Sequence, residues 1–220
     1  IVMSNPAPPP RIFSQTRREK RFRRAKVRQS QTNSARFVLD DMVEDVLERL
    51  EFMRHDPKSA LVIGDWTGTL ALSLRSNGAE VEEADCSTID EANPFAAEKF
   101  DLIVSLASLG EVNDLPGALL HHRMALAKDG ILLASILGAG SLPNLRRAMI
   151  AAEPDRPAAR MHPLVDNSSA SALLQRAMFK RQVVDSRSLS VAYSSLKKLV
   201  HDLRDQGLGS ALASAPPPLS

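Results

Sequence analysis

The stretch Gly64-Asp65-Trp66-Thr67-Gly68 is the first candidate for ligand chemistry in this sequence. It follows an apolar run, SALVIG at 59–64, that is typical of a buried strand, and it precedes a leucine-rich segment that indicates a helix. Glycines between a strand and a helix let the backbone approach a nucleotide-like ligand, and the helix N-terminus offers free N–H groups. A tight structural turn explains the same spacing, because G-x-x-x-G is a weak motif and Trp66 is bulky.

Asp85 is the second candidate, since it follows another extended segment at 79–85. A carboxylate at the end of such a strand can accept two hydrogen bonds from ribose hydroxyls. Glu80, Glu82 and Glu83 make the stretch rich in acids, so a solvated carboxylate is the alternative interpretation.

The histidines and the single cysteine show no pattern typical of a catalytic or metal centre. His121 and His122 lie in a helical stretch without a Cys, Asp or Glu at ligand spacing on the same face, so no metal is expected. His162 precedes Pro163 in a loop and could touch a substrate. Cys86 is interpreted as structural, and a lone cysteine, which cannot form an internal disulfide, favours a reducing compartment.

The elements that must position these residues alternate along the chain. Buried strands are indicated at 59–64, 79–85, 100–106 and 131–137, with helical patterns between them. Such alternation predicts a parallel sheet that is covered on both faces. Its ligand crevice should lie beyond the carboxyl ends of the strands, in the loops after Ile63, Asp85 and Leu106.

Composition is that of a globular protein. The 220 residues are 44% hydrophobic and 25% charged, which excludes a disordered chain, a collagen and a coiled-coil rod. No apolar run approaches the roughly 20 residues that a membrane span needs.

Met3 is a plausible start, and the helix expected to end at Gly207 suggests a missing continuation. The expected divisions are a disordered Pro-rich segment at 1–10, a basic arm with N-terminal helices at 11–54, an α/β domain at 55–192, and a C-terminal helix and tail at 193–220.

Positive charge is concentrated in the arm Arg11–Arg28. Residues 1–28 hold nine Lys/Arg and one acid, whereas the rest of the chain holds 19 basic and 25 acidic residues. We expect the arm to bind a protein partner. A solvated arm or one docked on the acidic body is the alternative, and nucleic acid is less favoured because only two aromatic residues interleave.

Several stretches resemble class I S-adenosylmethionine-dependent methyltransferases. They are the glycine loop, the acid after the second strand, FDLIVS at 100–105 and KDGILL at 128–133. Residues 100–120, SLPNLRRAM at 141–149 and 161–179 are more specific: they resemble the methyltransferase-like assembly factors of respiratory complex I and their alphaproteobacterial relatives. The resemblance covers nearly the whole chain after Pro10.

The resemblance implies a Rossmann-like, three-layer α/β fold with a parallel sheet and an antiparallel C-terminal strand at about 183–191. It also implies S-adenosylmethionine held by Gly64, Asp65, Trp66, Thr67, Gly68, Asp85 and Ser105, with the substrate at the loop after Leu106. Some relatives in this family are credited with arginine hydroxylation, so the reaction is open. The resemblance also implies a location in the bacterial cytoplasm. Peripheral attachment to the inner membrane through a partner is a further option.

The sequence departs from the family pattern at three places. Val62 stands where an acid is usual and Trp66 where the middle glycine is usual, and Gly110-Glu111 replaces a His-Trp pair. Phe100 comes only 15 positions after Asp85, which is too few for the usual helix and strand, since these alone need roughly 16 residues. We therefore expect that helix and edge strand to be absent, the adenine pocket to be open, and the Trp66 ring to fill it.

Two functions remain. The favoured one is a non-catalytic assembly or binding factor that kept the scaffold while its cofactor site eroded. The alternative is an active, protein-modifying enzyme that uses S-adenosylmethionine. Because methyl transfer needs mainly proximity and alignment, the lack of a catalytic His/Asp pair does not weigh against that alternative.

Overall fold

Helices and strands alternate through the middle of the chain, as the apolar periodicity predicts. The computed structural model describes residues 11–31, 33–153, 159–214 and 216, so the segment expected to be disordered at 1–10 lies outside the described residues. The helices are α1 (Gln15–Gln29), α2 (Phe37–Met53), α3 (Thr69–Ser76), α4 (Leu115–Ala125), α5 (Pro143–Ala151), α6 (Asn167–Arg176) and α7 (Leu196–Asp205). The strands are β1 (Ser59–Ile63), β2 (Glu80–Ala84), β3 (Phe100–Leu106) and β4 (Leu126–Ser135).

The four strands form one sheet in the order β2-β1-β3-β4, and every pairing is parallel. Ile63 pairs with Ala84 on one side and with Ser105 on the other, so the carboxyl ends of three strands share one edge. The parallel Rossmann-like sheet is therefore confirmed. β4 begins at Leu126, earlier than the predicted start at 131.

Both faces of the sheet are covered, which gives the expected three layers. Because strand side chains alternate between faces, Val104 and Ile103 of β3 belong to different core clusters. Val104 packs in a cluster with Val46 of α2 and Leu70 of α3. Ile103 packs in a second cluster that contains Ala125 of α4.

The segment 85–99 contains no helix and no strand, which confirms the expectation drawn from its length. Ile89 and Phe95 pack against the second core cluster, so this irregular segment covers the sheet without adding to it. β2 is left at the edge of the sheet, where Glu80, Glu82 and Glu83 are exposed. Charged side chains on an exposed edge oppose pairing with another chain.

The predicted antiparallel C-terminal strand is wrong. Residues 182–192 are irregular, and Val183 is 78% exposed. Ion pairs hold this segment across α2: Asp185 accepts from Arg49 at 3.0 Å, and Arg187 lies 3.2 Å from Asp41. The alternation of apolar residues gave no sign of these partners more than a hundred residues away.

Gly64 allows the ends of β1 and β3 to approach closely. Its φ is +83°, and a Cβ atom there would overlap the carbonyl oxygen of Leu106. Gly68 also has a positive φ, +71°, but no atom lies within 4 Å of the position of its Cβ. The first glycine of the motif is therefore required by the packing of two strands, whereas the second is required only by the backbone conformation.

Buried ion pairs fix α1, the helix of the basic arm, to the body. Arg18 is only 7% exposed, and its guanidinium lies 3.6 Å from Glu91 and 3.7 Å from Glu111. Arg21 donates to Glu111 Oε1 at 2.6 Å, and Arg28 donates to Asp205 of α7 at 2.8 Å. The inward face of the arm is thus docked on the acidic body, which was one of the alternatives left open for it.

Glu91 lies at the centre of this cluster and is 1% exposed. Ser108 donates a hydrogen bond to its Oε2, and His122 Nε2 lies 3.3 Å from its Oε1. His122 is completely buried, and its Nδ1 donates to the carbonyl of Ala118 at 2.7 Å. Among the described residues, His122 Nε2 and Glu91 Oε1 have no hydrogen-bond partner.

Replacing Glu91 by alanine should lower the free energy of unfolding by about 3–5 kcal/mol, because buried Arg18 would keep only Glu111, which it shares with Arg21. The matched control is Glu82→Ala, which removes an exposed acid paired with Lys99 and should cost no more than about 1 kcal/mol. Urea denaturation followed by circular dichroism measures both. If E91A does not fold, E91Q should fold with a smaller loss. Equal losses for E91A and E82A would contradict the assignment.

Replacing Gly64 by alanine should cost about 2–4 kcal/mol, since the new Cβ must displace a backbone carbonyl of β3. Gly68→Ala should cost only the strain of the left-handed backbone, about 1 kcal/mol. The comparison uses the same urea denaturation. A loss for G68A as large as that for G64A would show that contact with β3 is not what makes Gly64 necessary.

Candidate functional site

The loop at 64–68 uses its own polar side chains to satisfy the start of α3. Asp65 Oδ2 accepts from the N–H of Ala71 at 2.9 Å, and Asp65 Oδ1 accepts from the Thr67 hydroxyl at 3.2 Å. Thr67 Oγ1 in turn accepts from the N–H of Thr69 at 3.4 Å. Two N–H groups of the first turn, expected to be free for a ligand, therefore have partners within the loop.

Trp66 joins this loop to α1 and to the turn after α7. Its half-buried ring stands edge-on to Phe22 of α1, with 5.8 Å between ring centroids. Gly207 has a φ of +65°, and a Cβ atom there would overlap the Trp66 ring. Three segments that are far apart in sequence therefore meet at this side chain.

Asp85 keeps one carboxylate oxygen unused. Its Oδ1 accepts from the Ser87 N–H at 2.7 Å and from the Ser87 hydroxyl at 2.5 Å, and its own N–H donates to Thr88. Among the described residues, nothing donates to Asp85 Oδ2. This oxygen can accept a hydrogen bond from a ligand.

A cavity of about 150 Å³ connects the loop to Asp85. Its lining brings together three of the predicted residues, Asp65, Trp66 and Asp85. The other lining residues are Phe22, Lys26, Val62, Glu83, Ala84 and Thr88. The lining offers carboxylates, one ammonium and one hydroxyl, which suits binding of a small polar group. It holds no Ser/Cys nucleophile with a histidine base.

Four of the predicted cofactor residues do not line the cavity: Gly64, Thr67, Gly68 and Ser105. Ser105 is fully buried within β3, and its hydroxyl has no hydrogen-bond partner among the described residues.

Sequence reasoning missed the residues that α1 supplies to this cavity, Phe22 and Lys26. The arm was interpreted as a charged segment for a partner, although an apolar Phe22 among basic residues was a signal of packing. Glu111 was noted only as a departure from the family pattern. The structure places it 8% exposed between Arg18 and Arg21, so it is the acid that anchors the arm.

His162 lies at a second and larger cavity of about 660 Å³. Its Nε2 accepts from the N–H of Ala211 at 2.8 Å, and its Nδ1 lies 3.4 Å from Glu111 Oε1. Burial lowers the pKa of His162, so the neutral ring with a proton on Nδ1 satisfies both contacts.

The remaining titratable candidates are accounted for by structural contacts. His121 contacts the carbonyl of Glu91 at 3.2 Å. Burial raises the pKa of the Cys86 thiol to about 11, which keeps it protonated and unreactive at neutral pH.

One group of side chains that could hold a metal ion was not predicted from the sequence. It consists of His201, Asp202 and Asp205. Lys198 donates to Asp202 at 2.7 Å and Arg28 donates to Asp205 at 2.8 Å. Two side-chain cations therefore already neutralise these two carboxylates.

Comparison with known proteins gives several relatives, although no family model matches the chain. The chain is 33% identical over 147 residues to the mitochondrial arginine-hydroxylase NDUFAF5 of Homo sapiens, a match that covers 64% of this chain and 42% of that protein. It is 30% identical over 185 residues to malonyl-acyl-carrier-protein O-methyltransferase 1 of Coxiella burnetii, which covers 77% of this chain and 64% of that protein. The chain thus spans less than half the length of the NDUFAF5 relative.

Solved structures show a more distant likeness. A SAM-dependent methyltransferase of Thermotoga maritima is 18% identical, with a TM-score of 0.40 over 66% of this chain and 82% of that one. A phosphoethanolamine N-methyltransferase of Haemonchus contortus is 15% identical, with a TM-score of 0.42 over 55% of this chain and 32% of that one.

Within the described part of the chain, no helix has the length and apolar character to cross a membrane. The sheet order, the glycine loop after β1 and the sequence matches agree with one another. The chain is therefore a homologue of the NDUFAF5-type and malonyl-acyl-carrier-protein O-methyltransferase proteins.

Proposed function

We propose that this protein is a non-catalytic assembly or binding factor that retains the methyltransferase scaffold, and that it acts in the assembly of respiratory complex I. The observation that carries the proposal is the size of the cavity beside Asp85, about 150 Å³. Small-molecule sites have volumes of about 300–1,000 Å³, so this cavity is too small for a complete S-adenosylmethionine. The link to complex I rests on the resemblance of residues 100–120.

The walls of the cavity support the same proposal. Trp66 places an indole where the family has a glycine, and α1 adds Phe22 and Lys26. A cofactor at the glycine loop would have to displace the Trp66 ring from its contact with Phe22. The same ring also packs against Gly207. The residues present therefore do not fit the complete cofactor in this arrangement.

The start of α3 and the segment 85–99 support it further. The N–H groups of Thr69 and Ala71 have partners in the loop, so fewer donors are left for an anionic group of a ligand. The absence of a helix and strand between Asp85 and Phe100 removes the elements that would close the adenine end of the pocket.

The alternative function is an active protein-modifying enzyme that uses S-adenosylmethionine for methyl transfer or arginine hydroxylation. The free Asp85 Oδ2 favours it, because a carboxylate at this position can accept hydrogen bonds from a ribose. In this alternative α1 must move away from Trp66, so that the cavity can enlarge.

We also propose that the outward face of α1 binds an acidic protein surface. The inward arginines are occupied by Glu91, Glu111 and Asp205, whereas Lys20, Arg23 and Arg24 are exposed. Since this face has no aromatic residue on which a base could stack, a protein partner is favoured over nucleic acid.

Titration calorimetry with S-adenosylmethionine and S-adenosylhomocysteine tests the cofactor proposal. We expect no binding at about 1 mM ligand and no change in Trp66 fluorescence, because the cavity cannot admit either molecule. Micromolar binding to the wild type that is weakened in Asp85→Asn would overturn the proposal and favour the enzyme. Binding unchanged in D85N would show that the ligand lies at another site.

Fluorescence anisotropy with a labelled polyglutamate peptide tests the outward face of α1. The double variant K20A/R24A should weaken binding about fivefold, since each exposed charge contributes a fraction of a kcal/mol. K180A/R181A, which removes the same charge from exposed positions elsewhere, should change it by less than about twofold. Added salt should weaken binding to the wild type. Tighter binding of single-stranded DNA than of the peptide at equal charge would contradict a protein partner.

A further inference from the structure

We propose that the cavity of about 660 Å³ is a binding site for an anionic amphiphile, namely a carboxylate on a medium-length alkyl chain. Four segments enclose it: residues 11–12, the α5 helix, residues 159–163 and residues 212–214. It shares no lining residue with the cavity beside Asp85, so this site is independent of the cofactor question. Its volume lies within the range of small-molecule sites, about 300–1,000 Å³.

The charged lining of this cavity is entirely positive among the described residues. Arg11, Arg146 and Arg160 come from three different segments, and no Asp or Glu lines the cavity with them. Arg160 is bonded to Glu153, so the other two arginines carry the argument. Arg146 makes only a long contact of 3.4 Å with the carbonyl of His162, and Arg11 is exposed at the rim. Two guanidinium groups with no carboxylate beside them among the described residues favour an anionic head group.

The rest of the lining is largely apolar, and its α5 side chains are not covered by the other described parts of the chain. None of the residues of α5 is buried, although Met149 and Ile150 project apolar side chains at the cavity. Ile150 is 60% exposed, so a bound alkyl chain could remove apolar surface from water there. Ile12, Met161 and Leu212 complete the apolar wall, and methionines adapt readily to an alkyl chain.

His162 positions the wall and does not hold the head group. Its Nε2 is occupied by the Ala211 N–H and its Nδ1 faces Glu111, so neither nitrogen is directed to a ligand. The anion must therefore be held by arginine. Arg146 and Ile150 lie one turn apart on α5, so the cavity presents a cation next to an apolar side chain, as an amphiphile requires.

The backbone around the cavity favours a small molecule over a peptide. A peptide that adds as a strand needs free backbone groups along an edge. Here the Ala213 N–H donates to the Ile12 carbonyl at 2.8 Å, and the Leu212 carbonyl accepts from Arg17 at 2.7 Å. The chain's own terminal segments therefore occupy the groups that an incoming strand would use.

Titration calorimetry with decanoate below its micelle concentration tests the proposal on the full chain. We expect one site with submillimolar affinity, and affinity that rises from hexanoate to octanoate to decanoate by up to about fourfold per methylene. Decyltrimethylammonium, which has the same alkyl chain and the opposite charge, should bind at least about tenfold more weakly.

Two neighbouring arginines of α5 provide a matched pair of variants. Arg146→Gln should weaken decanoate binding at least about fivefold, because its guanidinium lines the cavity. Arg147→Gln should leave binding unchanged, because Arg147 is exposed and donates to Asn144 outside the cavity. If R146Q unfolds, Ile150→Asn provides the test, since Ile150 is exposed and contributes little to folding.

Three results would overturn the proposal. They are no binding of decanoate at about 1 mM, equal losses in R146Q and R147Q, and equal affinity for the cationic analogue. Binding of an acidic, leucine-containing peptide in place of decanoate would identify a protein surface and would also overturn it. None of these results depends on whether S-adenosylmethionine binds at the other cavity.

Discussion

The desolvation of two carboxylates, Glu91 and Glu111, constrains the rest of this structure. A buried acid without a partner is costly, so each needs a cation close by. Arg18 and Arg21 of α1 provide those cations. α1 is therefore a structural part of the domain, and its docking brings Phe22 against Trp66. An ion-pair cluster outside the glycine-loop cavity therefore places Phe22 and Lys26 of α1 in the lining of that cavity.

The sequence predicted the sheet because its two central strands, β1 and β3, are buried on both sides. SALVIG and FDLIVSL are continuous apolar runs between glycine or polar residues, and such runs leave few alternatives to central parallel strands. The missing helix and strand were also predictable, since chain length is a hard limit: 15 residues cannot hold two elements and their loops. These inferences depend on local pattern and counting alone.

The rest depended on contacts between distant residues. The segment at 183–191 alternates well enough for a strand, but Arg187 and Asp185 pair with charges of α2 that only the folded chain brings close. His122 showed no acidic neighbour at helical spacing, because Glu91 comes from the irregular segment after β2. Likewise, nothing local places Phe22 and Lys26 beside Asp85. Similarity to known proteins indicates the scaffold and leaves such differences in the site undetermined.

The pairing of Phe13 with Leu212 closes the described chain almost into a ring. Ser14 donates to Ala211 and Ala213 donates to Ile12, so the two ends of the folded part are held side by side. Closing a loop of this length has a large entropic cost, which the bridge and the buried contacts of Phe13 and Leu212 must offset. Any segment attached before residue 11 or after residue 214 therefore departs from one place on the surface. Arg11 and Ser214, near the two ends of the described chain, accordingly line one and the same cavity.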